Sequence, residues 1–362
     1  MIPLLDIRLY RSNPTEFVKK LREAFHTVGF LLLRHDLTPP ELAPRMLNEA
    51  QRFFDASLEQ KQTISYENSA TFRGYMQLGV ENTAGQTDMR EQVEFAVEQD
   101  SATDSDSECL IQPLYDRLRG RNPWPDLFQP SLKPCIMDYV KQLCRIAHDI
   151  RQAMCLALGL DKHALDSLFD DATGEDPPHW VLKMISYPHS NDSSSSFGVG
   201  AHTDTNFFTL VLQDAVGGLQ VFSEGKWIDV PSKYGADVLV CNIGEQAQIL
   251  SDGYFLATPH RVLSSNQQRI SIPLFYNPKL SARIQPLVDA SSTDLEWRRR
   301  HGYKHWKRDD NVMLETVGDN TFKSLARSHP RAFQKHHADL LLMPDGHIIR
   351  RVDANAAAKE PS

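Results

Sequence analysis

Three side chains in the second half of the chain have the types and spacing of a metal site. His202 and Asp204 stand two residues apart in GVGAHTDTNFFTLVL, Gly198 to Leu212, a stretch rich in β-branched and aromatic residues. Side chains in a strand repeat every two residues, so both point the same way. A His and a carboxylate converging from one strand supply two ligands for a divalent ion, and a facial site needs one further protein ligand. His260, in ATPHRV, is the candidate for it. The next strand, in QQRISIPLFYNP, alternates so that Arg269 and Ser271 share one face while Ile270, Ile272 and Leu274 take the other. It presents a cation beside a hydroxyl, and the same face continues to Pro273 and Phe275.

Positioning these groups requires a scaffold, and the chain reads as one. IPLLDI at the N-terminus is a short apolar strand. Asn13 caps a helix whose first position suits Pro14; Phe17, Leu21, Ala24, Phe25 and Val28 recur at helical spacing, and Gly29 ends it. FLLLRH reads as a buried strand, and a second helix from about Pro40 carries Leu42, Met46, Ala50, Phe53 and Phe54 on one face. His35 at that strand's end is expected to be structural, since no partner ligand lies near it. Between Ser131 and Leu158 the apolar residues fit a long amphipathic helix that supports the strands.

From Phe72 to Val97 the sequence mixes Gly, aromatic and charged residues without a clean period, which predicts an ordered loop followed by a short strand. Arg73, Tyr75 and Glu94 there are candidate substrate contacts, because loops that carry such residues often reach into sites. The acidic run EQDSATDSDSE lacks the Gly and terminal Glu of a calcium loop and reads as solvated. After Trp180 come VLKMISYP, a polar loop with Ser193 to Ser196 at the expected mouth of the site, GGLQVFSEGKWIDVP with a turn at Glu224-Gly225, and ADVLVCNIG. Short strands with regular turn signals, flanked by helices, predict a mainly β fold built on a double-sheet jelly roll able to enclose a small-molecule cavity. His336-His337 is adjacent rather than spaced by one helical turn and is expected on a solvated helix or loop.

Composition limits what this site can serve. With 362 residues, 41% of them hydrophobic, the chain can bury a large core, and strand-rich enzymes of this length often form one domain. A net charge of -8 gives no basic footprint, which argues against nucleic acid as a partner. Five cysteines without C-x-x-C spacing fit reduced thiols, and no apolar run approaches a membrane span. The expectation is a cytoplasmic, monomeric protein with a small-molecule partner and no membrane.

The order IPLLDI, GFLLLRH, RFFDASLEQKQ, RGY, YP, GAHTDTNFFTLVLQD, GGLQV, KWIDVP, NIGEQAQILSDG, HRV, RISIPLFYNP covers nearly the whole chain. It resembles the isopenicillin N synthase-like group of iron(II)- and 2-oxoglutarate-dependent oxygenases. The resemblance implies a double-stranded β-helix core at 178–282 between an N-terminal region, 1–125, and a C-terminal helical extension, 283–362, all in one oxygenase domain. It further implies iron held by His202, Asp204 and His260, and 2-oxoglutarate anchored through Arg269, Ser271 and Tyr187. Ile185 stands where the family often has Asn, and Arg34-His35-Asp36 replaces the usual Asn-His-Gly.

The residue types suit that chemistry. Two His and a carboxylate on one face leave three adjacent positions for a bidentate 2-oxo acid and for O2. A zinc hydrolase, the rival, would need only one open position and a general base, whereas Arg269 beside Ser271 suits the distal carboxylate of a 2-oxo diacid. The implied reaction is C-H abstraction leading to hydroxylation, desaturation or oxidative cyclisation of a small metabolite, as in secondary metabolism, with release of succinate and CO2 and no separate acid or base residue. An iron oxidase that uses no 2-oxo acid and a non-catalytic jelly-roll binding protein are the alternatives. For the substrate, Phe275 is expected on the cavity floor, facing Arg73 and Tyr75. Lys183 shares a strand face with Tyr187 and adds a cation suited to a polar or carboxylated metabolite.

Overall fold

The computed structural model describes residues 1–83, 86–99, 113–170, 173–189, 197–287 and 313–351. The N-terminal punctuation works as its residue types require. Helix α1 (Arg8–Ser12) is followed at once by α2 (Pro14–Thr27), where the Asn13 side chain accepts from the Glu16 amide at 3.2 Å. Helix α2 buries Phe17, Leu21, Ala24 and Phe25, and Gly29 ends the turn at a φ of 71° that a side chain would strain. Helix α3 (Leu42–Asp55) buries its predicted face, and Ser57 and Gln60 form a capping box at α4 (Leu58–Gln62). The long helix, α5 (Leu132–Ala157), packs against α2 and α3. These helices cover one face of the main sheet, and each fully buried Leu or Phe in that layer contributes about 1.5–3 kcal/mol over exposure.

The strands in chain order are β1 (Leu4–Asp6), β2 (Phe30–Arg34), β3 (Gly74–Met76), β4 (Asn82–Thr83), β5 (Gln86–Thr87), β6 (Glu91–Ala96), β7 (Trp180–Tyr187), β8 (Phe197–His202), β9 (Phe208–Gln213), β10 (Leu219–Ser223), β11 (Lys226–Asp229), β12 (Val238–Ile243), β13 (His260–Leu263) and β14 (Arg269–Tyr276). The main sheet runs β1-β2-β12-β9-β14-β7-β6-β3, parallel at β1-β2 and antiparallel elsewhere. A second sheet, β11-β10-β13-β8, is antiparallel throughout. Buried residues of both sheets, among them Phe30, Ile185, Val199, Val221, Val240 and Val262, form one cluster between them. This is the jelly roll. The turn at Glu224-Gly225 has φ values of 49° and 77°, which match the hairpin that joins β10 to β11.

Two local readings change. The segment after Phe72 holds an edge strand, β3, paired to β6, and Gly74 at φ 127° lets its backbone approach Ile64, whose carbonyl accepts from the Tyr75 amide at 2.8 Å. Short helices α6 (Asp166–Phe169) and α7 (Glu245–Leu250) precede the C-terminal part, which contains α8 (Val317–Ser328), α9 (Pro330–His336) and a hairpin, β15 (Leu340–Leu342) with β16 (Ile348–Arg350). His337 is not solvated as expected. It is 3% exposed, its ring lies 5.1 Å from that of Phe72, and its Nε2 is 2.8 Å from the Ala70 carbonyl. His35 sits with Nε2 2.7 Å from the Ala236 carbonyl, away from the metal cluster. The serine loop and the acidic run from residue 100 onward lie outside the described residues.

Candidate active site

His202 ends β8 and His260 begins β13, and the two are direct partners in the second sheet. Pairing across strands is what brings residues 58 positions apart in the sequence to a ring separation of 4.3 Å. Asp204 lies just past β8, and its Oδ1 stands 3.8 Å from His202 Nε2 and 3.6 Å from His260 Nε2. The three candidate ligand atoms all fall within 4.8 Å of one another.

Surrounding bonds fix which atoms face inward. The other oxygen of Asp204, Oδ2, accepts from the Thr209 hydroxyl at 2.5 Å and from Asn242 Nδ2 at 2.7 Å, so Oδ1 is the one left for an ion. His202 Nδ1 meets the Gly200 carbonyl at 2.9 Å and His260 Nδ1 the Thr258 carbonyl at 3.2 Å. A carbonyl can only accept, so each Nδ1 carries the proton and each Nε2 presents its lone pair to the centre. Burial and the neighbouring His260 push His202 down to about 4, which keeps its imidazole neutral at ordinary pH. Burial alone would raise Asp204, but its surroundings hold it below the usual carboxylate value, and the hydrogen bonds donated by Thr209 and Asn242 favour the ionised form.

Along β14 the inward face carries Arg269, Ser271, Pro273 and Phe275, all lining the cavity that holds the three candidate ligands. Arg269 is 2% exposed and donates through Nη2 to Gln213 Oε1 at 3.1 Å, whereas its Nε and Nη1 have no partner. Its strand partner is Tyr187, whose ring centre lies 4.9 Å from the guanidinium carbon. That ring packs over Gly198, where a Cβ would come within 2.6 Å of it. A buried guanidinium with two idle donors and only a neutral amide for company fits an anion such as a carboxylate, which can take both donors at once. The donor set therefore suits both a divalent ion and a dicarboxylic acid.

Two expected substrate contacts are displaced from this cavity. Arg73 spends its donors on the carbonyls of Gly120 and Leu118, each at 2.8 Å, and burial lowers it to about 10. The Tyr75 hydroxyl donates to Glu91 Oε2 at 2.7 Å, and its ring packs on Phe53. Both hold β3 and its flanks to the core, a structural role that outward-facing alternation could not reveal. Lys183 and Glu94 are paired with each other at 2.6 Å in the register of β6 and β7, behind Phe275, whose ring centre is 5.7 Å from the ammonium.

Burial would raise Glu94, but Lys183 and His329 hold it down to about 2. Its pKa in the unfolded chain is near 4.5, so this stabilisation is complete above about pH 4.5 and fades as pH falls toward about 2. Glu94→Gln should leave the Lys183 ammonium buried without its counter-charge and destabilise the fold by about 3–5 kcal/mol. Chemical denaturation at neutral pH measures it, and an unchanged midpoint would show that the pair contributes nothing.

Asn242, Thr209, Gln213 and Arg90 complete the site and were not picked out from the sequence. Asn242 had a readable signal: in ADVLVCNIG it shares the inward face with Val238 and Val240, an isolated polar residue on an apolar strand face.

Comparison with known proteins places this geometry. Residues 178–278 match the model of the 2OG-Fe(II) oxygenase superfamily, and residues 2–127 match that of the non-haem dioxygenase in morphine synthesis N-terminal region. The chain belongs to the 2OG-Fe(II) oxygenase superfamily. A homoarginine-6-hydroxylase of Glycine max is 33% identical over 303 residues, 81% of this chain and 85% of that one. A 2-oxoglutarate-dependent dioxygenase of Dothideomycetidae sp. is 31% identical over 354 residues, 92% of this chain and 91% of its own. Among solved structures, JOX2 in complex with 2OG, Fe and JA is similar at 28% identity and a TM-score of 0.65, covering 79% of this chain and 77% of that one. A full-length Neurospora crassa protein with alpha-KG shares the fold at 23% identity and a TM-score of 0.69, over 91% and 96% of the two chains. The oxygenase described here thus takes iron(II) as its metal and 2-oxoglutarate as cosubstrate.

Proposed function

We propose that His202, Asp204 and His260 hold the iron, that Arg269 and Ser271 with Tyr187 hold the distal carboxylate of 2-oxoglutarate, and that Phe275 contacts a small polar or carboxylated metabolite. The observation that carries this reading is the shared cavity: the three-ligand cluster and Arg269, with its idle donors, line one pocket. When bound, iron(II) with 2-oxoglutarate supplies oxidative decarboxylation to succinate and CO2, coupled to oxidation of a substrate C-H bond.

The chain's own residues bind and orient. Thr209 and Asn242 keep the Asp204 carboxylate from rotating, and the Gly200 and Thr258 carbonyls keep both imidazoles in one tautomer. Phe30, Val199, Val211 and Val262 wall the cavity with apolar surface that excludes water from the reacting centre. Ile185, where a polar residue is common in the family, adds to that wall and leaves the Arg269 side as the polar end. We further read the chain as one catalytic domain, monomeric and cytoplasmic; β1, β2, β3 and β6 of its N-terminal part share a sheet with the core strands, and no helix among the described residues is long and apolar enough to cross a membrane. The carboxylated substrate class is in keeping with a relative named for homoarginine, an amino acid.

The test is a metabolite screen for substrate-stimulated succinate release by anaerobically reconstituted iron protein. Absence of any 2-oxoglutarate turnover would sink the reading. With a substrate in hand, Phe275→Ala should lose most of the substrate-stimulated succinate while slow uncoupled decarboxylation continues, because truncating a contact ring costs binding of about 1–3 kcal/mol without touching the metal ligands. Wild-type coupling in that variant would remove Phe275 from the pocket.

A further inference from the structure

We propose that Arg90 orients the primary substrate by donating its Nε-H to a carbonyl-type oxygen, of a carboxylate or an amide, carried on an apolar body. This rests on the assignment of Arg269 to the cosubstrate.

Arg90 lines the same cavity as His202, Asp204 and His260, although it lies in the connection just before β6 and no motif marks it. Alternation carries the face of Gln92 and Glu94 back to Arg90, and the pairing of Glu91 with Ser186 sets Arg90 beside Tyr187. Arg269 pairs with Tyr187 from the other flank. The two arginines are thus two strand spacings apart at the backbone, about 9–10 Å, with the Tyr187 ring between them. One carboxylate does not need both.

The guanidinium of Arg90 is held in place. Its Nη2 meets Glu81 Oε2 at 2.5 Å and Asp88 Oδ2 at 3.3 Å, and Glu81, Asp88 and a hydrogen bond to Tyr187 raise its already high pKa despite burial. Its Nε is enclosed and has no partner. A buried N-H left unpaired costs about 1–3 kcal/mol, which a ligand oxygen would recover. Glu81 and Asp88 also offset the charge, so the cavity meets a directed donor and not a net positive field. Such a group donates to a carboxylate or a neutral amide oxygen alike and finds no acceptor on an ammonium.

Other cations of this region are committed elsewhere: Arg73 to backbone carbonyls, Lys183 to Glu94. The apolar lining of the same cavity, Phe30, Val199, Val262 and Phe275, calls for an apolar body on the ligand.

Three probes with one skeleton separate the possibilities: phenylacetate, phenylacetamide and phenethylamine, titrated calorimetrically and anaerobically into the full chain loaded with iron(II) and 2-oxoglutarate. Wild type should bind the acid and the amide, with the amine weaker by about tenfold or more, the size of one lost hydrogen bond. Arg90→Met should bring the acid and the amide down to the level of the amine while 2-oxoglutarate affinity falls less than it does in Arg269→Lys. Arg90→Lys covers the case in which the first variant fails to fold, since it keeps a cation for Glu81 and Asp88 but has no Nε donor, and it should show the same loss.

Equal binding of all three probes, no binding of any, or an unchanged profile in both variants would overturn the proposal while leaving the oxygenase assignment intact. Loss of 2-oxoglutarate binding in the Arg90 variants with retention in Arg269→Lys would exchange the two roles and also overturn it. A wild-type protein that binds no 2-oxoglutarate would overturn the cosubstrate assignment together with it.

Discussion

His260→Ala is expected to abolish oxygenase turnover and to weaken iron(II) binding by more than about a hundredfold, because loss of an outer hydrogen-bonding partner alone costs 10- to 100-fold and this removes a ligand itself. The same holds for His202→Ala and Asp204→Ala, since two remaining donors hold a divalent ion poorly. The geometry makes the expectation sharp. Asp204 Oδ1 is the atom nearest both imidazoles, and its other oxygen is already occupied by Thr209 and Asn242, so no second carboxylate oxygen is free to replace a lost ligand. Among the described residues no other group of His, Cys, Asp or Glu converges in this way. Equilibrium dialysis of iron under anaerobic conditions and oxygen consumption measure the two effects. Full activity in His260→Ala would sink the metal assignment.

Arg269→Lys should raise the 2-oxoglutarate requirement by about ten- to a hundredfold, the cost of losing a charge-assisted hydrogen bond worth about 1.5–3 kcal/mol, with iron affinity near wild type. Lysine keeps the charge. It cannot keep the planar fork, and the fork is what leaves Nε and Nη1 idle in the cavity while Nη2 holds Gln213. The Tyr187 ring beneath the guanidinium would lose its flat partner as well. A titration of 2-oxoglutarate against succinate formation, beside iron dialysis, separates this from a general loss of structure. An unchanged titration curve would refute the anchor.

These effects differ in kind from that of Glu94→Gln, which should lower stability without reference to either ligand. Lys183 and Glu94 occupy the inward face of β7 and β6, yet their pairing turns them into support for Phe275. A cation on the right strand face is therefore insufficient evidence for ligand contact. What decides is whether its donors are already taken, and Arg73, with both terminal nitrogens on carbonyls, is the plainest case.

By itself the sequence determined the parts whose cause is local. Alternation in a strand put Arg269, Ser271, Pro273 and Phe275 on one face, Asn13 and Pro14 began a helix that Gly29 ended, and the spacing of His202 and Asp204 followed from a two-residue repeat. Tertiary structure alone decided which of the inward-facing polar residues meet. The register of β8 against β13 brings His260 to His202, and that of β12 against β9 sets Asn242 beside Thr209, where both bind one oxygen of Asp204. Arg90 entered the site because β6 flanks β7 on the side opposite to β14. Alternation tells which face a side chain takes; only the order and register of strands, set by non-local packing of both sheets, tells which neighbour it will find there.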